Sequence, residues 1–222
     1  MNKLNHIAFI MDGNGRWGKK RNKSRNYGHL KGVEIVKKIV AKSIKLKIPV
    51  ISFYVFSSEN WKRPKNEISY LFTLIKNYFF NEIDRVKSQG IKINIIGNLN
   101  KLPKDLRNIL YKTINGTKNN KAITVNLAIN YGSKNEIMMA LKKTKKAISI
   151  KNIEKNLYTK NIPDPDILIR TGGHQRLSNF MLWQLAYSEL FFIPKLWPDF
   201  NSNDLEKVIK QYKKRKRNFG AI

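Results

Sequence analysis

Residues 6–17, HIAFIMDGNGRW, decide how the rest of the chain is read. Positions 7–11 form a short apolar run rich in β-branched residues, cut off abruptly by the carboxylate and two glycines of DGNG. That pattern is a buried strand running into a tight turn. Asp12 then sits at the carboxyl end of a strand, which is where open α/β sheets place their ligands. Gly13 and Gly15 let backbone amides approach an anion, and Arg16 adds a fixed charge with bidentate geometry. One carboxylate beside an anion cradle points to a metal-bridged phosphate. DG and NG dipeptides are also common turn formers with no ligand at all, so the remainder of the chain must decide.

Working outward, apolar positions Val33, Val36, Ile39, Val40 and Ile44 recur at helical spacing and predict a helix over 31–45. Residues 48–56 are a second apolar run, IPVISFYVF, ending in the polar block SSENWKRP. The arrangement repeats the first: a strand followed by a loop of ligand-type residues, in which Ser57, Ser58, Glu59, Asn60 and Arg63 can face a phosphate. Residues 67–86 predict a helix so rich in large apolar side chains that they cover more than one face. Either the helix is buried on two sides or one face lines an apolar cavity.

Strands are predicted over 91–96, 123–129 and 167–170, and helices over 106–114 and 134–147. A basic amphipathic helix with a short tail fills 204–220. Strands alternating with helices, several of them ending in glycine or polar turns, predict an α/β domain with a mostly parallel central sheet flanked by helices. The 222 residues, 41% hydrophobic, suffice for one sizeable core, and no linker divides them.

The chain has no cysteine, which excludes disulfides and thiolate metal sites. With no basic leader and no apolar run near the ~20 residues of a membrane span, a cytoplasmic protein is expected, soluble or peripheral to a membrane. Lys and Arg number 44 against 15 Asp and Glu, a formal net charge of +29. Nucleic acid, an anionic membrane surface and phosphorylated small molecules all answer such a balance. The excess is spread along the chain in KKRNK, KKTKK and KKRKR, and heavy use of Lys, Asn and Ile together explains part of it by codon bias. Most of it forms solvated faces. No RNA-recognition, zinc or helix-turn-helix signature accompanies it, so no nucleic-acid partner is expected.

The block RTGGHQRLSNFMLWQLAYSELFFIPKLWPDF, residues 170–200, sets two guanidinium forks, Arg170 and Arg176, and the hydroxyl of Ser178 beside a glycine turn, which suits a diphosphate. Glu189 stands in an apolar sequence, where a carboxylate is costly unless it pairs with an arginine or binds a cation.

The blocks HIAFIMDGNGRW, YGHLKG, SFYVFSSENWKRP, NLAINYG and RTGGHQRLSNFMLWQLAYSELFF with LWPDF resemble, in order and approximate spacing, those of the cis-prenyltransferases, most closely the bacterial undecaprenyl diphosphate synthases. The resemblance covers nearly the whole chain. It implies an enzyme that adds isopentenyl diphosphate units to an allylic diphosphate, usually farnesyl diphosphate, while the growing chain fills an apolar tunnel. The expected product is a long polyprenyl diphosphate, undecaprenyl in the bacterial case, the precursor of the lipid carrier for cell-wall synthesis. By the same resemblance Asp12 and Glu189 hold magnesium. Gly13, Asn14, Gly15, Arg16 and Arg25 cradle the allylic diphosphate, with Trp17 and His29 beside it, and Arg170, Arg176 and Ser178 bind isopentenyl diphosphate. Trp61 and its loop close over the substrates. Asn60, Ser57 and a diphosphate oxygen are all candidates for the proton acceptor. The apolar helix borders the tunnel, with Leu71, Ile75 and Phe79 on its wall and Ile123 at its far end. A homodimer through residues 188–198 is implied as well.

Three features depart from the family pattern. His174 and Gln175 follow the paired glycines where a glutamate is common; the ending reads Asn218-Phe219-Gly220 where the family has Arg-Phe-Gly; and the segment between the last two predicted strands is short. Two rivals share parts of the pattern. A catalytically silent member of the fold loses the aspartate and arginine clamp that this chain keeps, and trans-type prenyltransferases depend on DDxxD motifs that it lacks.

Overall fold

A computed structural model describes residues 3–145 and 147–216. Strand β1 (His6–Ile10) is buried at every position and lies near the middle of the sheet. After it come α1 (Asn14–Lys19), α2 (Arg25–Lys45), β2 (Val50–Ser57), a 3-10 turn over Ser58–Lys62 and α3 (Lys65–Ser88). Then follow β3 (Ile91–Ile96), α4 (Lys104–Thr117), β4 (Ile123–Tyr131), α5 (Ser133–Lys143), α6 (Ile150–Glu154), β5 (Ile167–Arg170), β6 (Glu189–Phe192) and α7 (Ser202–Lys214). The six strands run in the order β3-β4-β2-β1-β5-β6, and every neighbouring pair is parallel. This is one α/β domain, as the alternating pattern predicts.

Strand parity divides the core. Ile7, Phe9, Ile51, Phe53, Val125 and Leu127 face one layer, together with α2, α3, Trp197 and Phe200. Ala8, Ile10, Ala128 and Leu168 face the other, under Phe180, Met181 and Leu185. Both faces are covered, so the strands read as continuous apolar runs rather than alternating ones.

Differences from the expected elements have local causes. Helix α2 starts at Arg25 rather than near 31, capped by Ser24 Oγ, which accepts from Tyr27 N at 3.1 Å. Its first turns pack on α1 through glycine: a Cβ on Gly28 would lie 1.9 Å from the Asn14 carbonyl oxygen. Contacts made by backbone leave no apolar period to read. Strand β6 was not anticipated, because a four-residue edge strand, only part buried, carries little pattern. Helix α5 stops at Lys143, short of 147. The last helix ends at Lys214, and the 218–220 ending lies outside the described residues.

Candidate active site

Beyond Ile10, β1 delivers Asp12 to the carboxyl edge of the sheet. Gly13 follows at φ 112°, a left-handed conformation that glycine takes without strain, and it turns the chain into α1. The Asp12 carboxylate is held on both oxygens: Arg16 Nη2 donates to Oδ1 at 3.1 Å and Arg170 Nη2 to Oδ2 at 2.9 Å. The Asp12 carbonyl accepts from Thr171 Oγ1 at 2.8 Å and from Trp197 N at 3.0 Å. Chain segments from three parts of the sequence are thereby tied at one point.

Arg170, at the end of β5, is only 4% exposed. Its Nη1 donates to Ser178 Oγ at 2.8 Å and to the Arg176 carbonyl, and its Nε has no hydrogen-bond partner. A buried guanidinium N–H without an acceptor is costly, so an anionic oxygen arriving here is favoured.

A second cluster is centred on Glu67, which the sequence reading missed. Glu67 is buried in the first turn of α3, where a glutamate reads as an ordinary exposed helix residue. Arg25 grips it bidentately, Nε to Oε2 at 3.0 Å and Nη2 to Oε1 at 3.2 Å, while Arg63 Nη1 and His29 Nε2 reach Oε1 at 3.1 and 3.3 Å. Burial pushes the Glu67 carboxyl up, but Arg25 foremost, with Arg63 and His29, holds it below the usual range. Burial lowers the His29 pKa, outweighing its bond to Glu67, so the ring is neutral near pH 7 and Nε2–H donates. A Cβ on Gly15 would stand 2.6 Å from Arg25 Cζ, so only glycine lets this guanidinium lie over the DGNG loop. Arg63, four residues before Glu67, was the available signal.

Asp12, Asn14, His29, Ser57, Asn60, Arg63, Arg170, Arg176 and Ser178 line one polar chamber of about 300 Å³. Ser57 and Asn60 are locked to each other: Asn60 Oδ1 accepts from Ser57 N at 3.0 Å, and the Ser57 hydroxyl accepts from the backbone N–H of Asn60. An apolar chamber of about 110 Å³ adjoins, walled by Val33 and Val36 of α2, by Leu71, Leu74, Ile75, Tyr78 and Phe79 of α3, and by Leu127 and Ile129 of β4. Met11, Asn14, His29, Val55 and Leu71 belong to both walls, so the polar chamber gives directly onto the apolar one.

Several expected residues stand elsewhere. Trp17 turns outward, donating to Asp199 Oδ1 at 2.6 Å and stacking on Tyr27. Arg25 reaches the chamber only through Glu67 and the Gly15 backbone. Ser58 and Trp61 line a separate polar pocket behind β4, where Trp61 Nε1 donates to Asn130 Oδ1 at 2.8 Å. Glu59 is held by Asn179 Nδ2 at 2.8 Å. Ile123 lies on the same sheet face as Leu127 but below the apolar chamber, packed in the core.

Glu189 stands apart from Asp12 within one chain. It pairs in register with Ile167, which pairs with Ile7, so within one chain Glu189 sits level with the start of β1, about 16 Å along the strand direction from Asp12. A parallel edge strand places its first residue at the end of the sheet opposite the site. There Glu189 forms an ion pair with Arg215. Among the described residues no group of three or more His, Asp and Glu comes together to hold a metal. Asp12 alone still suits magnesium, which binds through one or two carboxylates completed by substrate phosphates and water.

Comparison with known proteins gives the family. The family model described as "Putative undecaprenyl diphosphate synthase" matches residues 10–220, and the chain belongs to that prenyltransferase family. Isoprenyl transferases are similar along the full length. That of Clostridium tetani is 45% identical over 98% of this chain and 89% of its own, and that of Rickettsia felis is 45% identical over 99% and 95%. Among solved structures, lavandulyl diphosphate synthase from Lavandula x intermedia in complex with dimethylallyl diphosphate superposes with a TM-score of 0.93 at 33% identity, covering 97% of this chain and 98% of that one. A "probable undecaprenyl diphosphate synthase" from Campylobacter jejuni gives 0.85 at 33% identity, covering 99% and 100%.

Proposed function

We propose that the protein condenses isopentenyl diphosphate with an allylic diphosphate, farnesyl diphosphate or a similar primer, and extends it to a long cis-polyprenyl diphosphate of undecaprenyl type, the lipid-carrier precursor for cell-wall synthesis. The observation that carries this reading is the union of two chambers, one lined by arginines and Asp12 and the other by aliphatic and aromatic side chains. A diphosphate with a hydrocarbon tail is the ligand shape that fills both.

In this scheme Arg63, Asn14 and His29, which line the polar chamber, take the allylic diphosphate together with Arg16, which reaches it beside Asp12. Arg170, Arg176 and Ser178 take isopentenyl diphosphate and fix its double bond against the allylic carbon. Asp12 is the residue that would hold magnesium together with diphosphate oxygens. When bound, the ion supplies charge neutralisation at the leaving group. Arg16 and Arg63 add fixed positive charge where the diphosphate departs, and the apolar wall keeps water from the carbocation-like centre. Asn60 Oδ1 already accepts from the Ser57 backbone N–H, and the Ser57 hydroxyl already accepts from the backbone N–H of Asn60. We therefore assign proton removal to a diphosphate oxygen and a positioning role to the Ser57–Asn60 pair.

A homodimer through residues 188–198 is consistent with the open edge of β6 and with exposed Tyr187 and Leu190 next to it. No helix among the described residues is long and apolar enough to cross a membrane. A net charge of +29 favours peripheral contact with an anionic cytoplasmic leaflet, where a polyprenyl product would be released.

The test is direct: purified protein with magnesium, farnesyl diphosphate and labelled isopentenyl diphosphate should yield polyprenyl diphosphates. Asp12→Ala should lower the rate by roughly 10³-fold or more. Absence of any prenyl product from the wild type would end this reading.

A further inference from the structure

The apolar chamber is too small for the product assigned above. An apolar cavity of roughly 150 Å³ takes a benzene-sized guest, and this one measures about 110 Å³. Little more than one isoprene unit fits, so a longer chain has to part the walls.

The wall that can part is the seam between α2 and α3. Both helices run away from the polar chamber: His29, Val33 and Val36 line the cavity in that order on α2, and Leu71, Ile75 and Tyr78 on α3. One step beyond the last lining residues, Lys37 of α2 forms an ion pair with Glu82 of α3 across the seam. The Lys37 ammonium also stands 5.2 Å from the centre of the Tyr78 ring, which forms part of the cavity wall directly beneath. Arg85 Nη1 donates to the other Glu82 oxygen at 3.2 Å and keeps the carboxylate turned toward the seam. Both side chains of the pair remain partly open to water, at 27% and 22%. Ion pairs of this kind are weak enough to be displaced by a growing apolar chain.

We propose that Lys37 and Glu82, with Tyr78 beneath them, form a latch on the α2–α3 seam that limits how far the prenyl chain grows before release. The latch is a specificity-determining element of the reaction assigned above and rests on that reading. Closed, it confines the chain to the volume above Tyr78; parted, it admits further units between the helices.

Product length read by mass spectrometry tests it, under fixed farnesyl and isopentenyl diphosphate and magnesium. Glu82→Gln and Lys37→Gln should each move the main product upward by at least one isoprene unit, with the rate of the first condensation within about twofold of wild type. The exchange Lys37→Glu with Glu82→Lys, made together with Arg85→Gln to remove the like charge beside position 82, rebuilds the pair and should return the parental length. Single variants that keep the parental distribution, or an exchange variant that melts like wild type without restoring it, would overturn the latch. A wild-type protein that makes no prenyl product removes the underlying reaction and the latch with it. Products whose length ignores both substitutions remove the latch alone.

Discussion

The two ends of β1 carry polar groups that are treated in opposite ways. At its start His6 is fully buried, with Nδ1–H donating to the Pro163 carbonyl at 2.6 Å and Nε2 accepting from Ser52 Oγ at 2.7 Å. Ser52 Oγ accepts from Asn126 Nδ2 at 2.9 Å, and Asn126 Oδ1 from Asn94 Nδ2 at 3.0 Å, so a neutral chain of hydrogen bonds crosses β1, β2, β4 and β3. Past its other end Asp12 is charged, 26% exposed, gripped by two guanidiniums and open to a chamber. Saturated, neutral and closed describes a group that serves folding. Charged, partly open and beside an unpaired arginine N–H describes one that awaits a ligand.

The comparison breaks most visibly if substitutions at the Asp12 end cost mainly stability. Arg170→Ala removes the clamp on Asp12 and on Ser178 and should lower kcat/KM for isopentenyl diphosphate by about 10³-fold, equivalent to about 4 kcal/mol of barrier. Steady-state kinetics beside a urea melt separate the two costs. A variant that loses stability but keeps kcat/KM would make Arg170 a structural residue like His6.

The same contrast explains what could be read from the chain. Apolar runs ending in glycine or polar turns were legible because parallel strands covered on both faces are uniformly apolar and their carboxyl ends carry the site; Asp12, Arg170 and Ser178 do converge. Glu67 was hardly legible, since Arg25 and His29 are brought to it by tertiary packing and only Arg63 stands near it in the sequence. Glu189 has the arginine partner that its apolar setting called for, but an isolated carboxylate in an apolar run says nothing about the strand register that sets it level with the start of β1. The first turns of α2 escaped because glycine and backbone make their contacts.

His6 sharpens the comparison from the other side. Burial drives its pKa from 6.5 down to about 4, opposed by the bond to Pro163 and the nearby Asp166 carboxylate. Below pH 6.5 the unfolded chain takes up a proton that the folded chain refuses, so this stability is complete above pH 6.5 and is lost as pH falls toward 4. The full loss is about 3 kcal/mol. Urea midpoints measured between pH 7 and 4 should fall for wild type and follow a flatter course for His6→Gln, with prenyl transfer at neutral pH little changed in the variant. Parallel curves would remove His6 from the account.

The smallest expected effect concerns how far down the sheet function extends. Leu71 belongs to both chamber walls, whereas Ile123 lies four residues before Leu127 on the same face, about 13 Å lower along β4. Leu71→Trp adds bulk at the junction and should shorten the product. Ile123→Ala should lengthen it, because a chain that has passed Leu127 meets Ile123 next. Parental product lengths from both variants would refute the assignment of α3 and β4 as chain-bearing walls. A shift with Leu71→Trp alone would mean that the chain stops at Leu127, leaving the lower half of the sheet, from Ile123 across to His6, to folding alone.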